Sequence, residues 1–349
     1  MKSSKVMIGM SGGVDSSAAA LLLKQSNFSC AGVTMQLWGN PDFGDARAIA
    51  AQLHIPYRIL DCREAFQKLV VDTFVKSYEE GLTPNPCIVC NKALKFGLML
   101  EKARALGYDE IATGHYAQVE QDPETGRYLL KRAKDMSKDQ TYFLYCLSQD
   151  QLAHTLFPLG NLRKEEIRDL AEQAGLVTAR KRDSQDICFI PDGDYVSFLR
   201  SYTGKQYPSG NYLNLQGKVL GEHRGAVCYT VGQRRGLGIA LGAPAYVCSK
   251  NMEQNTVTLG SSEDLMHRGL LAGNMNWILP PVSSDPISCT GKIRHSQFDE
   301  PAVLYPQADG SCIAVFDRPQ RAISPGQAAV FYQGDRVIGG GTIIKAMDV

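Results

Sequence analysis

Residues Gly9 to Ser17 read GMSGGVDSS, between a short apolar run at Val6 to Ile8 and an Ala/Leu-rich stretch at Ser16 to Gln25. A glycine-rich turn that joins a strand to a helix gathers backbone N–H groups and serine hydroxyls into one small volume. That is an anion cradle at the positive end of a helix. The common phosphate loop closes on a lysine that reaches the terminal phosphates; here Val14-Asp15-Ser16 occupies that stretch. The cradle reads as a grip on the pyrophosphate half of ATP as leaving group, with Asp15 placed to help position a magnesium ion. The competing reading is a tight turn whose glycines serve backbone geometry alone.

A chain of 349 residues is expected to divide into two or three domains. Its net charge of +1 argues against a generic polyanion binder. Local basic clusters remain at Lys131, Arg132 and Lys134; at Arg180, Lys181 and Arg182; at Arg234 and Arg235; and at Lys292, Arg294 and His295. No apolar run is long enough to span a bilayer and no secretory leader is visible, so no membrane partner is expected. The ten cysteines follow no regular framework, which in such a chain reads as reduced thiols and a cytoplasmic location.

Up to about Ile190 the pattern alternates strands (Val6–Met10, Ala31–Leu37, Tyr57–Leu60, Ile111–Gly114) with helices (Ser16–Gln25, Asp45–Leu53, Arg63–Glu80, Lys92–Leu106). That alternation predicts an α/β, Rossmann-like parallel sheet covered on both faces, with a ligand crevice beyond the carboxyl ends of its strands. Gly9–Ser16, Met35, and Gly114 with His115 all fall at such ends. A hairpin is expected at Ala117–Glu120 and Tyr128–Arg132. Beyond the helical stretch Tyr195–Tyr202, short β-prone runs take over, among them Ala226–Val231 and Ala328–Tyr332. These suggest a small central domain and then a terminal β-barrel. The expected units are residues 1–197, 198–262 and 263–349.

Two cysteine segments stand out. In Thr83-Pro84-Asn85-Pro86-Cys87-Ile88-Val89-Cys90-Asn91-Lys92 the prolines fix an extended loop, and a helix is expected from Lys92 with Asn91 as its cap. Cys90 would then lie before a helix N-terminus, where the partial positive charge lowers a thiol pKa. The Cys87/Cys90 spacing also suits half a zinc site, but the chain has no second close pair to complete one. In Arg180-Lys181-Arg182-Asp183-Ser184-Gln185-Asp186-Ile187-Cys188-Phe189-Ile190 a cysteine enters an apolar stretch after a basic approach.

These segments, with IATGHYA, SKDQTYFLY, YTVGQRRGLGI and SPGQAAVFY, resemble in order and nearly full length the tRNA-specific 2-thiouridylases of the PP-loop ATP pyrophosphatase superfamily. The resemblance implies sulfur insertion at the 2-position of the wobble uridine of the tRNAs for lysine, glutamate and glutamine. It assigns ATP to Gly9, Met10, Ser11, Gly12, Gly13, Val14, Asp15 and Ser16, with Met35 and Gly114 around the adenosine. Asn85, Pro86 and Cys87 fall where the family places the target base. Cys90 matches the nucleophile and Cys188 the persulfide carrier. His115, Lys138, Asp139, Gln140, Arg294, His295 and Gln327 match tRNA-contacting positions. Many members carry aspartate where this chain has Cys87, and Gln36 to Gly44 stands in place of a longer acidic loop.

The implied reaction is adenylation of the uridine 2-carbonyl oxygen with release of pyrophosphate, then sulfur delivery from a persulfide on Cys188. Cys90 either resolves that persulfide into a disulfide or releases hydrosulfide from it. A third arrangement makes Cys87, Cys90 and Cys188 ligands of an iron–sulfur cluster with one open iron. A persulfide donor, such as a cysteine desulfurase or a sulfur-relay protein, is the further partner expected. The rivals are another PP-loop synthetase acting on a small metabolite, and a tRNA-binding or sulfur-carrier scaffold with a vestigial loop.

Overall fold

The computed structural model describes residues 4–39, 41–179, 181, 187–283 and 285–349. Arg180, Arg182 and the stretch 183–186 of the second cysteine segment therefore lie outside the described residues.

The first unit is built on strands β1 (Lys5–Gly9), β2 (Ser29–Gln36), β3 (Tyr57–Asp61), β4 (Glu110–Ala112) and a short β7 (Thr155–Leu156). They pair in the order β3-β2-β1-β4-β7, all parallel, with Val6 opposite Cys30 and Glu110. A central parallel strand must be apolar on both faces. β1 meets that demand: Val6 and Ile8 enter one core, and Met7 enters another with Val33 and Ile111. Helix α1 (Val14–Gln25) lies on the first face, its small residues Ala18, Ala19 and Ala20 fully buried. Helix α2 (Gly44–Gln52) covers the same core through Ala46, Ile49 and Ala50. Helices α3 (residues 63–79) and α4 (residues 86–105) each contain a π-helical stretch, Gln67–Val71 and Asn91–Leu98.

Helix α4 begins at Pro86, one and a half turns earlier than the apolar spacing suggests. Asn85 is its cap, the side-chain oxygen accepting from the Cys87 N–H at 3.2 Å, and Pro86 takes the first helical position, where a missing N–H costs nothing. The expectation that Asn91 caps the helix is corrected: Asn91 lies inside it, and Cys90 closes its first turns.

Hairpin strands β5 (Gln118–Gln121) and β6 (Tyr128–Lys131) lead into α5 (Thr141–Leu144) and α6 (Gln149–Ala153), and α7 (Lys164–Gln173) packs on α1. After α8 (Tyr195–Thr203), strands β8 (Gly210–Leu213), β9 (Val219–His223), β10 (Tyr246–Asn251) and β11 (Thr256–Gly260) form a small sheet in the order β10-β11-β8-β9. The strand expected at Ala226–Val231 is instead a 3-10 turn at Ala226–Cys228, because Ala226, Val227 and Cys228 are all buried together rather than alternating. The last unit is a barrel of β12 (Met266–Trp277), β13 (Ile287–Lys292), β14 (Glu300–Pro306), β15 (Cys312–Arg321), β16 (Ala328–Gln333) and β17 (Arg336–Met347). Pairing of β12 with both β15 and β17 closes it, which removes the free edges.

The three units share cores. Phe66, Phe74, Cys90 and Phe189 pack with Tyr212, Val247 and Val257 of the central sheet. Phe96, Tyr142 and Leu144 pack with Val330, Tyr332 and Val337 of the barrel. An ion pair between buried Arg132 and half-buried Asp299, at 3.0 Å, crosses the same boundary, and the Arg132 guanidinium lies 3.7 Å from the Tyr332 ring centre. Removing one partner of such a pair strands the other charge. Asp299→Asn is expected to cost about 1–2 kcal/mol, read as a lower denaturation midpoint. A double variant, Arg132→Met with Asp299→Leu, should regain most of the loss; equal stability of the single variant and the parent would show that the pair does not tie the units.

Candidate active site

Three strand ends converge as the parallel sheet requires. Beyond Gly9, Gln36 and Ala112 opens a cavity of about 370 Å³, lined by Gly9, Met10, Ser11, Asp15, Ser16, Thr34, Met35, Lys95, Met99, Gly114, His115 and Gln140 among others. Its size suits a small ligand. Ser11 and Ser16 are folded onto each other: the Ser11 N–H donates to Ser16 Oγ at 3.2 Å, the two hydroxyls stand 3.2 Å apart, and Ser16 Oγ donates to the Gly13 carbonyl at 3.1 Å. No side chain caps α1, so its first N–H groups remain available to an anion.

Two glycines are dictated by space. Gly12 has φ +74° and approaches Asp45 so closely that an added Cβ would stand 3.1 Å from the Asp45 Cβ. At Gly114 a Cβ would meet the backbone of Asp15 and Ser16 at 2.8 Å. The loop after β4 thus presses directly on the first turn of α1, which is how Gly114 belongs to the cradle without being in it.

Asp15 is held by two neighbours. Lys164 Nζ donates to both its oxygens, at 2.7 and 2.8 Å, and the Tyr116 hydroxyl donates at 2.7 Å. Magnesium is held by hard oxygens with near-ideal octahedral spacing; a carboxylate bound by Lys164 and Tyr116 keeps oxygen lone pairs that could join such a set. Among the described residues no three His, Cys, Asp or Glu side chains converge as a metal-holding group, so Cys87, Cys90 and Cys188 as placed do not make the ligand set of an iron–sulfur cluster. Lys164 and Tyr116 escaped the sequence reading because their link to Asp15 spans about a hundred residues or more and leaves no local pattern.

Three thiols share one cationic neighbour, Lys95, which lines this cavity. Cys90 is buried, whereas Cys87 and Cys188 are exposed. Burial pushes the Cys90 thiol up to about 11; Lys95 opposes the shift, and Cys188, Cys87 and Cys62 reinforce it. The expected lowering by a helix N-terminus is therefore corrected, because Cys90 lies within α4 and out of water. Cys87 and Cys188 are raised too, first by the protein packed behind them, and again Lys95 opposes. Cys188 is held in place by its neighbour: Phe189 is buried edge-on against Phe66 and Phe74, with ring centres at 5.7 and 5.3 Å.

The remaining residues divide. His115 lines the cavity, its Nδ1 2.8 Å from the Thr113 hydroxyl, and burial drives its pKa well below the ordinary value, so the ring is neutral. Gln140 also lines it and accepts from the Tyr116 N–H at 3.0 Å. Asp139 is buried and accepts from the Ala133 N–H and the Thr141 hydroxyl. Arg294 donates to the Ala322 carbonyl and to Ser324 Oγ at 2.9 and 2.8 Å. His295 packs on the Phe143 ring at 4.4 Å. Gln327 donates to the Thr83 carbonyl at 2.8 Å, bracing the loop before Cys87. Lys138 is half-buried in the turn before Asp139. Of the basic clusters, Lys131, Lys134 and Lys181 are each paired with a carboxylate, and Arg234 and Arg235 stand exposed.

Comparison with known proteins fits this arrangement. Three family models match in series: "tRNA methyl transferase HUP domain" over residues 4–192, "tRNA methyl transferase PRC-barrel domain" over 196–261, and "Aminomethyltransferase beta-barrel domain" over 267–343. A tRNA-specific 2-thiouridylase MnmA of Moorella thermoacetica is 49% identical over 97% of this chain and 98% of its own length. The chain belongs to the tRNA-specific 2-thiouridylase family. Further members from Desulfitobacterium hafniense and Clostridioides difficile are 48% and 45% identical, over 97% and 98% of this chain and 98% and 99% of theirs. Among the described residues no helix is long and apolar enough to cross a membrane.

Two outcomes follow from the geometry. Gly114→Ala forces a methyl into the backbone of the cradle and, if the cavity is the ATP site that the sequence implies, should weaken ATP binding about tenfold or more, measured by titration calorimetry; parental affinity would mean that the two loops move apart freely. Peptide-resolved alkylation of Cys90 should keep accelerating through pH 8 to 10 without levelling, since the thiolate is scarce below a pKa of about 11. A plateau near pH 8 would contradict the buried environment.

Proposed function

We propose that this protein thiolates the 2-position of the wobble uridine in the tRNAs for lysine, glutamate and glutamine, consuming ATP. The single observation that carries the reading is an α1 anion cradle in a cavity walled by Lys95, the same lysine whose charge acts on Cys87, Cys90 and Cys188. A synthetase that adenylates a small metabolite has no use for the thiols. The methyl transfer named in two of the family descriptions has no use for a pyrophosphate cradle.

In this reading the uridine 2-oxygen attacks the α-phosphorus of ATP, and pyrophosphate leaves into the N–H groups of residues 11 to 16, whose orientation is set before the charge develops. The O–P bond so formed makes AMP the leaving group at C2. Cys188 carries the sulfane sulfur, received from a persulfide donor. Its terminal sulfur attacks C2, AMP departs, and Cys90 then attacks Cys188 Sγ, freeing the thione and leaving a Cys90–Cys188 disulfide. In the other order Cys90 attacks first and the hydrosulfide released attacks C2; the same disulfide results. Either way an external dithiol must return two electrons before the next turnover. Magnesium, when bound with ATP, supplies charge neutralisation on the phosphates.

A wobble base reaches such a cavity only when turned out of the anticodon stack. Asn85, Pro86 and Cys87 at the start of α4 are the reading's base-contacting residues. His115, Lys138, Gln140 and His295 are its direct tRNA contacts, and Asp139, Arg294 and Gln327 brace the loops beside them. Incubation with ATP, a persulfide source and unmodified lysine tRNA, followed by nucleoside mass analysis, should yield 2-thiouridine. Cys90→Ala and Cys188→Ala should each abolish it while leaving tRNA affinity within about twofold of the parent; thiolation retained by both variants would end the sulfur-transfer reading. Pyrophosphate release driven by a small metabolite in place of tRNA would favour a synthetase.

A further inference from the structure

The sulfur chemistry has an electrostatic difficulty that the cavity itself answers. Reactive sulfur is anionic, yet Cys90 is buried and Cys87 and Cys188 are backed by protein. The groups facing Cys90 are Cys62 from the end of β3, Cys87 on its own helix, Cys188 from the segment before α8, and Lys95. The first three each add negative charge on ionisation. Asp15 also borders the cavity but is neutralised by Lys164, and His115 is neutral. Lys95 lines the cavity, is half-buried, and among the described residues has no carboxylate partner.

We propose that Lys95 is the counter-charge for sulfur anions in this site, a positioning residue in the cavity wall on the helix that also carries Cys87 and Cys90. Its location follows from the backbone. Lys95 lies five residues after Cys90 within the π-helical stretch Asn91–Leu98. In an ordinary helix the fifth residue along points well away from the first; the wider π turn rotates it back toward the same face. π stretches inside helices are frequent at functional sites, and this one puts Lys95 in the cavity wall while Phe96 keeps its place in the core against His115 and Phe157. The same ammonium opposes the thiol shift at Cys87, Cys90 and Cys188 and lowers His115. Lys95 thus favours ionised sulfur and disfavours a second cation beside it.

The biological meaning of this role rests on the sulfur-transfer reading, but its test needs no tRNA. The rate of iodoacetamide alkylation at each cysteine is followed from pH 7 to 10.5 by peptide mass analysis in the full-length parent, Lys95→Met and Lys95→Arg. The methionine variant should react roughly three- to tenfold more slowly at pH 8 at Cys87, Cys90 and Cys188, with each profile displaced to higher pH. The arginine variant should follow the parent. Cys248, whose acidic neighbour is Asp264, should be unchanged throughout. Unchanged profiles at the three site cysteines in Lys95→Met would overturn the proposal. Where that variant melts early, Lys95→Gln keeps length and polarity without charge and carries the same expectation. Loss of thiolation with parental alkylation would place Lys95 in nucleotide binding instead and also overturn it. Failure of the parent to make 2-thiouridine at all would refute the sulfur-transfer reading without touching this one.

Discussion

The start of one helix governs the site. Residues 86–105 carry Cys87, Cys90 and Lys95, so a shift of that helix by one residue would turn all three to other faces. Its start is held from two sides. Asn85 accepts the Cys87 N–H and Pro86 occupies the first turn. From the barrel, the Thr83 N–H donates to the Pro325 carbonyl at 2.8 Å and Gln327 donates to the Thr83 carbonyl. Between them Gly326, at φ +90°, lies so close that a Cβ would meet the Thr83 nitrogen at 2.8 Å. A domain more than two hundred residues away in sequence thereby sets the register of the thiols.

The same economy appears in the shared cores. A parallel sheet of five short strands, two of them only two or three residues long, has limited apolar area of its own. Its second face is completed by barrel residues such as Val330 and Tyr332 and by the hairpin that leads to the barrel. The central sheet closes over α3 and the Phe189 segment in turn. Since hydrophobic stabilisation follows the area removed from water, none of the three units buries its site-bearing face alone. The cavity-bearing unit is joined to the other two by packing, and to the barrel by the Arg132–Asp299 pair as well.

Charge in the cavity is sorted with equal care. One lysine, Lys164, is spent on Asp15, and another, Lys95, is left without a carboxylate among the described residues. The neutral His115 between aromatic rings adds no competing charge. On the proposed reading, in which the site accepts a polyphosphate and generates a sulfur anion, a cation without a carboxylate partner is useful, because in a partly desolvated pocket such a charge acts strongly on its neighbours.

By itself the chain's sequence determined the strand–helix alternation, the GMSGGVDSS cradle and the two cysteine segments, because each is a local pattern: apolar period, turn chemistry, residue spacing. It also carried the family, since the resemblance runs through motifs in every unit. The position of Cys90 inside a helix, the capture of Asp15 by Lys164, the bracing of Thr83 by Gln327 and the place of Lys95 in the cavity wall were decided only in the tertiary structure. Apolar spacing could not mark the helix start at Pro86, because the Asn85 cap and the barrel's support replace the missing pattern. Burial and pairing between residues a hundred positions apart depend on how sheets stack, and no short stretch of chain encodes that.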